Sequence, residues 1–143
     1  MSEGTNLDAA LDDLVIANRI LANEGVIDAF GHISVRDPRR PDRYFLARSR
    51  SPELVERRDI MEFDLENRPI DPQGRTMYSE RPIHGSIYRT RPDVTAVCHN
   101  HARSLIPFSI TGTPIKPVWH VAGGIGPEVP TWDVRDEFGD TDL

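Results

Sequence analysis

The chain has 143 residues, of which 38% are hydrophobic, a length that suits one domain with a single buried core. A net charge of −6 argues against a nucleic-acid partner, and no apolar run approaches the ~20 residues of a membrane-spanning helix. The N-terminal "MSEGTNLDAA" lacks the basic and apolar regions of a signal peptide, and a single cysteine excludes an internal disulfide, so we expect a cytoplasmic protein.

An amphipathic helix is the first predicted element. Apolar residues recur at three- and four-residue spacing from Leu7 to Leu21, and Gly25 is placed to end the helix. Three short runs follow, and their composition and their separation by Pro- and Asp-rich turns predict strands: "HISVRD", "RYFLAR" and "DIMEFDL".

A second helix is predicted over "SERPIHGSIYRTRP". Ser79 suits its N-cap, Pro82 is tolerated in its first turn, and Pro92 ends it. The predicted strand "VTAVCHNH" comes next, then a short helical segment, "ARSLIPFS", and a last strand that begins in "TWDVRDEFGDTDL". Because helices alternate with strands while three strands come in succession, we predict an α/β fold around a mixed sheet.

The strand "VTAVCHNH" ends in two histidines that are one residue apart. Side chains alternate between the two faces of a strand, so His99 and His101 project from the same face. Two imidazoles that converge from one rigid strand end can bind a divalent metal ion. The alternative is that they are two polar residues at the end of a strand.

Glu80 and His84 are four residues apart on the second predicted helix, so both face one side of it. This helix leads directly into the strand, and the start of the helix and the end of the strand can meet at one sheet edge. We therefore expect Glu80 to reach a metal ion held by His99 and His101, a ligand set that suits Zn²⁺, Mn²⁺ or Co²⁺. Alternatively, Glu80 complements the helix dipole and His84 is a buried residue hydrogen-bonded to the backbone.

Three segments of the sequence resemble the class II aldolase/adducin family: "FGHISVR", "YSERPIHGSIYRTRPDVTAVCHNHARS" and "IPFSITGTPIKPVW". That family includes metal-dependent sugar-phosphate aldolases and epimerases, and decarboxylases of hydroxylated aromatic acids. The resemblance implies a three-layer α/β/α sandwich around a mixed, largely antiparallel sheet, assembled as a homotetramer. It also implies one domain, residues 1–143, that lacks the family's C-terminal part.

The resemblance also assigns roles to individual residues. His99 and His101 look like two of the three histidine ligands of one catalytic divalent metal ion, zinc in the first place and manganese or cobalt as alternatives. Glu80 matches the family's general acid/base. The family's third histidine follows a helix after "TWDVRD", beyond the end of this sequence, and whether His120 replaces it or lines the pocket wall stays open.

The substrate-binding segments differ from those of the sugar-phosphate enzymes, in which a Gly-Asn-x-Ser loop and a Thr/Ser/Gly-rich turn cradle the phosphate. Here His32 replaces the asparagine, and "LARSRSPE" occupies the second position. An arginine fork matches a planar carboxylate, and a histidine can donate to a carboxylate or protonate a ring carbon; alternatively, Arg48 and Arg50 face solvent. The predicted substrate-binding residues are Gly31, His32, Ser34, Ser49, Arg50 and Ser51.

These changes favour a metal-dependent carbon–carbon lyase that decarboxylates a hydroxylated aromatic or heteroaromatic carboxylic acid through a metal-stabilised enolate. One alternative is an aldolase or epimerase that acts on a sugar or sugar phosphate. Another is a truncated, non-catalytic binding or interaction module on the same fold, as in the adducin branch. Joint retention of Glu80, His99 and His101 argues against the non-catalytic interpretation.

Overall fold

The computed structural model describes residues 3–133. The Cα positions group into two compact units that divide between Ala102 and Arg103. The first unit contains two α-helices, four strands and two 3₁₀ helices. The α-helices and strands are α1 (Glu3–Asn23), β1 (His32–Arg36), β2 (Arg43–Ala47), β3 (Ile60–Asp64), α2 (Pro82–Thr90) and β4 (Ala96–His99), and the 3₁₀ helices are Pro52–Leu54 and Arg57–Asp59. The second contains α3 (Ile106–Thr111) and a 3₁₀ helix (His120–Ile125). Within the described range, no helix is long and apolar enough to cross a membrane.

The four strands form one sheet in the order β3-β2-β1-β4, and every neighbouring pair is antiparallel. Short turns join β1 to β2, whereas β4 returns along the free edge of β1 after α2. In this register His32 on β1 lies directly opposite His99 on β4. The sheet therefore brings residues that are 67 positions apart in the sequence to the same end of two adjacent strands.

Helices cover both faces of this sheet. Phe45 packs with Leu11 and Leu14 of α1 on one face, whereas Tyr44 packs with Tyr88 of α2 on the other. Successive residues of a strand point to opposite faces, so one strand serves both cores. The predicted α/β class and its three-layer arrangement are confirmed, and the described strands are antiparallel throughout rather than mixed.

The helix boundaries confirm two predictions and correct one. Gly25 follows α1 with a φ of +66°, a conformation that glycine adopts without strain, and α2 ends at Thr90, ahead of Pro92. However, Ser79 is not the N-cap of α2: that position is Arg81, without a side-chain cap. Glu80 and Arg81 form a turn ahead of the helix, so Glu80 lies outside α2.

The last predicted strand falls largely beyond the described residues. Thr131–Asp133 of "TWDVRD" have no regular secondary structure, and the remainder of that segment lies outside the described range. In the second unit, His120 begins the 3₁₀ helix, and its ring packs edge-on against Trp119 with centroids 5.3 Å apart. A metal-binding role for His120 stays a prediction.

Candidate active site

The predicted histidine pair and the predicted acid come together at the end of β4. The Nε2 atoms of His99 and His101 lie 3.0 Å apart, and Oε1 of Glu80 lies 3.3 Å from the first and 4.0 Å from the second. Zn–N distances of 2.0–2.1 Å in a tetrahedral site place ligand nitrogens about 3.3 Å apart. Two imidazoles and one carboxylate are thus spaced to share one divalent ion.

His32 reaches the same cluster from β1. Its fully buried ring stacks on the ring of His99, with centroids 4.8 Å apart, and its Nε2 lies 3.7 Å from Oε2 of Glu80. This Nε2 has no hydrogen-bond partner among the described residues. Burial lowers the pKa of His32 to about 4, so the ring is neutral at physiological pH. The cluster therefore contains a third, neutral imidazole whose free nitrogen faces the carboxylate.

Buried side chains continue from His32 into the protein interior. Nδ1 of His32 lies 2.7 Å from Nε2 of His84, whose Nδ1 lies 2.6 Å from the hydroxyl of Ser34. That hydroxyl lies 2.8 Å from the hydroxyl of Tyr88. All four side chains are at most 1% exposed, and we refer to them as the buried chain: His32, His84, Ser34 and Tyr88.

The interior of the buried chain is uncharged. Burial lowers the pKa of His84 to about 3 and raises the pKa of Tyr88 to about 12, so the imidazole is neutral and the phenol keeps its proton. His84 is a buried polar residue, as one interpretation of the sequence expected. However, its ring nitrogens bond to side chains rather than to the backbone.

Sequence reasoning missed Asp28, which lies between α1 and β1. Its Oδ1 lies 3.2 Å from Nδ1 of His101 and accepts the backbone N–H groups of Phe30 and Gly31 at 3.0 and 2.8 Å. Burial by itself would raise the pKa of Asp28. The hydrogen bonds with the His101 side chain and with the backbone of Phe30 and Gly31 outweigh burial, and they hold the pKa below its usual range. A carboxylate on Nδ1 leaves Nε2 of the histidine free to bind metal. The available signal was an Asp placed three residues before a Gly, typical of an Asx turn.

Gly31 and Ser34 flank the site without offering a side chain to its opening. A Cβ at Gly31 would lie 2.7 Å from Cβ of Ile27 and 3.2 Å from the carbonyl oxygen of His99, so close packing requires glycine there. The Ser34 hydroxyl is fully buried and bonded within the buried chain. Direct substrate contacts by these two residues stay predictions.

The predicted Ser49–Ser51 segment lies in the loop after β2 and is tied to the site through Tyr78. The Tyr78 hydroxyl donates to the carbonyl of Arg50, and its ring lies 4.4 Å from the ring of His32. The Arg50 guanidinium approaches Asp59 at 3.4 Å, and Arg48 pairs with the same carboxylate at 2.6 Å. Both arginines therefore pair with a buried carboxylate instead of facing solvent freely, while substrate contacts in this loop stay predictions.

Comparison with known proteins places the chain in a family. Residues 12–142 match the family described as Class II Aldolase and Adducin N-terminal domain. The chain is 38% identical over 125 residues to Decarboxylase tropJ of Talaromyces stipitatus, covering 86% of this chain and 47% of that protein. It is 31% identical over 119 residues to the 3,4-dihydroxyphthalate decarboxylase of Arthrobacter keyseri, covering 76% and 47%. The chain belongs to the class II aldolase/adducin family.

A solved structure supports the same assignment of the fold. The L-fuculose 1-phosphate aldolase from Glaciozyma antarctica superposes with a TM-score of 0.77 at 26% identity, covering 89% of this chain and 56% of that chain. The predicted class II aldolase fold is therefore confirmed. The chain spans about half the length of the curated relatives that it matches.

Proposed function

We propose that the protein is a metal-dependent lyase that decarboxylates a hydroxylated aromatic or heteroaromatic carboxylic acid. The carrying observation is the position of His32: a buried, neutral imidazole whose free Nε2 faces Glu80 beside His99. Such a nitrogen suits a substrate carboxylate or phenolate better than a bulky phosphate. Two relatives named as decarboxylases, at 38% and 31% identity, support this choice.

The residues present fit a divalent metal ion, because two imidazole nitrogens and a carboxylate oxygen lie within 4.0 Å of one another. His99 and His101 would hold it, with Glu80 adjacent and Asp28 orienting the second histidine. Zinc suits this donor set first, and manganese or cobalt are alternatives. When bound, the ion supplies a Lewis acid that stabilises negative charge on substrate oxygens.

Decarboxylation replaces a carbon–carbon bond by a carbon–hydrogen bond, so one proton must reach the ring carbon as carbon dioxide leaves. We assign this transfer to Glu80, and two observations support the assignment: its two oxygens face His99 and His32, and its side chain is 42% exposed. That exposure lets the carboxyl group recover a proton from solvent after each turnover. His32 orients the leaving carboxylate by hydrogen bonding, and its neutrality avoids trapping the anion as an ion pair.

An aldolase acting on a sugar phosphate is the second candidate. The similarity to L-fuculose 1-phosphate aldolase supports it. Ser49 and Ser51, which flank the Arg50 carbonyl held by Tyr78, could then cradle a phosphate in this reaction. Both candidates share the same proposed metal ligands and differ in the group that binds the remainder of the substrate.

The test compares products from the purified, metal-loaded chain. We expect carbon dioxide release from 3,4-dihydroxyphthalate or related hydroxyaryl carboxylates, and no aldehyde from L-fuculose 1-phosphate. The matched control is His99→Ala/His101→Ala, which should bind less than a tenth of the metal and release no carbon dioxide. Aldehyde release instead would favour the aldolase, and neither product from a metal-loaded chain would favour a binding module.

Assembly as a homotetramer is part of the proposal. Apolar side chains of the first unit are exposed in the isolated chain, including Phe30 at 71% and Ile20 at 54%. Contact with further copies would remove this surface from water. Light scattering during gel filtration should then give four times the chain mass of 16.1 kDa, and a monomer mass would reject the tetramer.

A further inference from the structure

The buried chain has a function beyond filling the core. We propose that it locks His32 in the tautomer with its proton on Nε2, making His32 a fixed hydrogen-bond donor into the site and not a metal ligand. His84, Ser34 and Tyr88 are then positioning residues, because they act through His32. The identity of the acceptor, an anionic oxygen of the substrate, rests on the proposed function, whereas the tautomer does not.

A neutral imidazole has one N–H donor and one acceptor nitrogen, so hydrogen bonds along the buried chain run in one of two directions. In the forward direction the Tyr88 hydroxyl donates to Ser34, and Ser34 donates to Nδ1 of His84. Nε2–H of His84 then donates to Nδ1 of His32, which leaves the proton of His32 on Nε2. In the reverse direction every bond is inverted, and Nε2 of His32 presents a bare lone pair to the site.

The inner end of the buried chain, which is Tyr88, favours the forward direction. Tyr88 is 1% exposed, and its hydroxyl keeps its proton. The hydroxyl of Tyr88 lies within hydrogen-bond distance of the Ser34 hydroxyl and also bonds to the backbone of Val97, whose N–H can donate to the phenolic oxygen but cannot accept its proton. If Ser34 donated to Tyr88 instead, the phenolic proton would be buried without an acceptor, which is unfavourable.

The outer end of the buried chain, which is His32, favours the same direction. Nε2 of His32 faces Oε2 of Glu80 at 3.7 Å, and the lone pairs of a carboxyl oxygen accept hydrogen bonds. An N–H on Nε2 would therefore point toward an acceptor, whereas a bare lone pair on Nε2 would face the lone pairs of that oxygen. The two ends are independent, and they select the same tautomer of His32.

This tautomer divides the cluster into two functional sides. The ligand atoms of His32, Glu80 and His99 lie within 4.8 Å of one another, which by distance alone would suit a metal ion. A protonated nitrogen cannot bind a metal ion, so the ligand side consists of His99 with His101. The buried Nε2–H of His32 makes no hydrogen bond among the described residues and lies 3.7 Å from Oε2 of Glu80, so it is available to an anionic oxygen.

The test is a long-range ¹H–¹⁵N NMR spectrum of the ¹⁵N-histidine-labelled chain without substrate, before and after addition of Zn²⁺. We expect His32 and His84 both to carry the proton on Nε2. Zinc should shift the ring nitrogens of His99 and His101, while Nε2 of His32 stays protonated. A proton on Nδ1 of His32, or its loss from Nε2 on zinc addition, would overturn the inference.

Tyr88→Phe tests the inner end, because it removes the hydroxyl and keeps the ring. We expect a second set of His32 signals with the proton on Nδ1. Tyr44→Phe is the control: that ring lies 5.4 Å from the ring of Tyr88, but its hydroxyl donates to Asn67 at 2.9 Å, outside the buried chain. If both variants show one and the same His32 tautomer, the inference that Tyr88 fixes this tautomer is wrong. Because no substrate is present, these outcomes are distinguishable from failure of the proposed decarboxylation.

Discussion

Asp28 offers the sharpest test of the metal site, because its carboxylate contacts the proposed ligand His101 directly. In Asp28→Asn, the new side chain keeps an oxygen that can accept the N–H groups of Phe30 and Gly31, so the loop is preserved. What is lost is the negative charge 3.2 Å from Nδ1 of His101. We therefore expect the variant to fold normally and to bind zinc more weakly.

The magnitude follows from the exposure of the pair. Loss of a carboxylate behind a metal-binding histidine typically costs ~10–100-fold in metal affinity. Asp28 and His101 are each 37% exposed, so solvent screens their contact. We expect the lower end, an approximately tenfold increase in Kd, or about 1.4 kcal/mol.

The assay is competition for Zn²⁺ between the protein and a chromophoric chelator. Asp64→Asn is the matched control, since Asp64 also accepts two backbone N–H groups, those of Glu66 and Arg68, and pairs with an arginine away from the cluster. Its zinc Kd should match that of the unmodified chain. A zinc Kd in Asp28→Asn within twofold of the control would refute the orienting role.

Two further predictions concern stability. Burial lowers the pKa of His84 to about 3 from 6.5, so the unfolded chain binds this proton first and the free energy of unfolding falls as pH decreases from 6.5 toward 3. Urea titrations of the metal-free chain should show the free energy of unfolding falling by about 1.4 kcal/mol per pH unit from His84, and by as much again from His32, whose pKa is lowered to about 4, as the pH decreases from 6 to 4; no change between pH 7 and 5 would contradict neutral, buried histidines at these positions. In Gly31→Ala, the added Cβ meets Ile27 and the His99 carbonyl oxygen, and should cost about 1–3 kcal/mol. Gly124→Ala, with nothing within 4 Å, is the control, and equal urea midpoints would disprove the close approach.

Local sequence patterns predicted the elements because they depend on neighbouring residues. Apolar spacing located α1, and Gly25 follows its end. The motif "VCHNH" indicated the pair of His99 and His101, whose Nε2 atoms lie 3.0 Å apart. However, the predicted strand through His101 is wrong, because β4 ends at His99 and His101 lies in the loop that follows. The start of α2 was misplaced because Ser79 has the chemistry of an N-cap, whereas the chain forms a turn at Glu80 and Arg81 before the helix begins.

The sequence by itself thus determined the family, the α/β class and the histidine pair, since periodicity and short motifs encode them. Only the tertiary structure placed His32 against His99, because strand register depends on packing across the sheet. Only it brought Asp28 to His101, because the path of a loop depends on the elements it joins. The buried chain also needed the fold: His84 and Tyr88 on α2 meet Ser34 on β1 when the helix packs on the sheet, and burial then makes their hydrogen bonds obligatory.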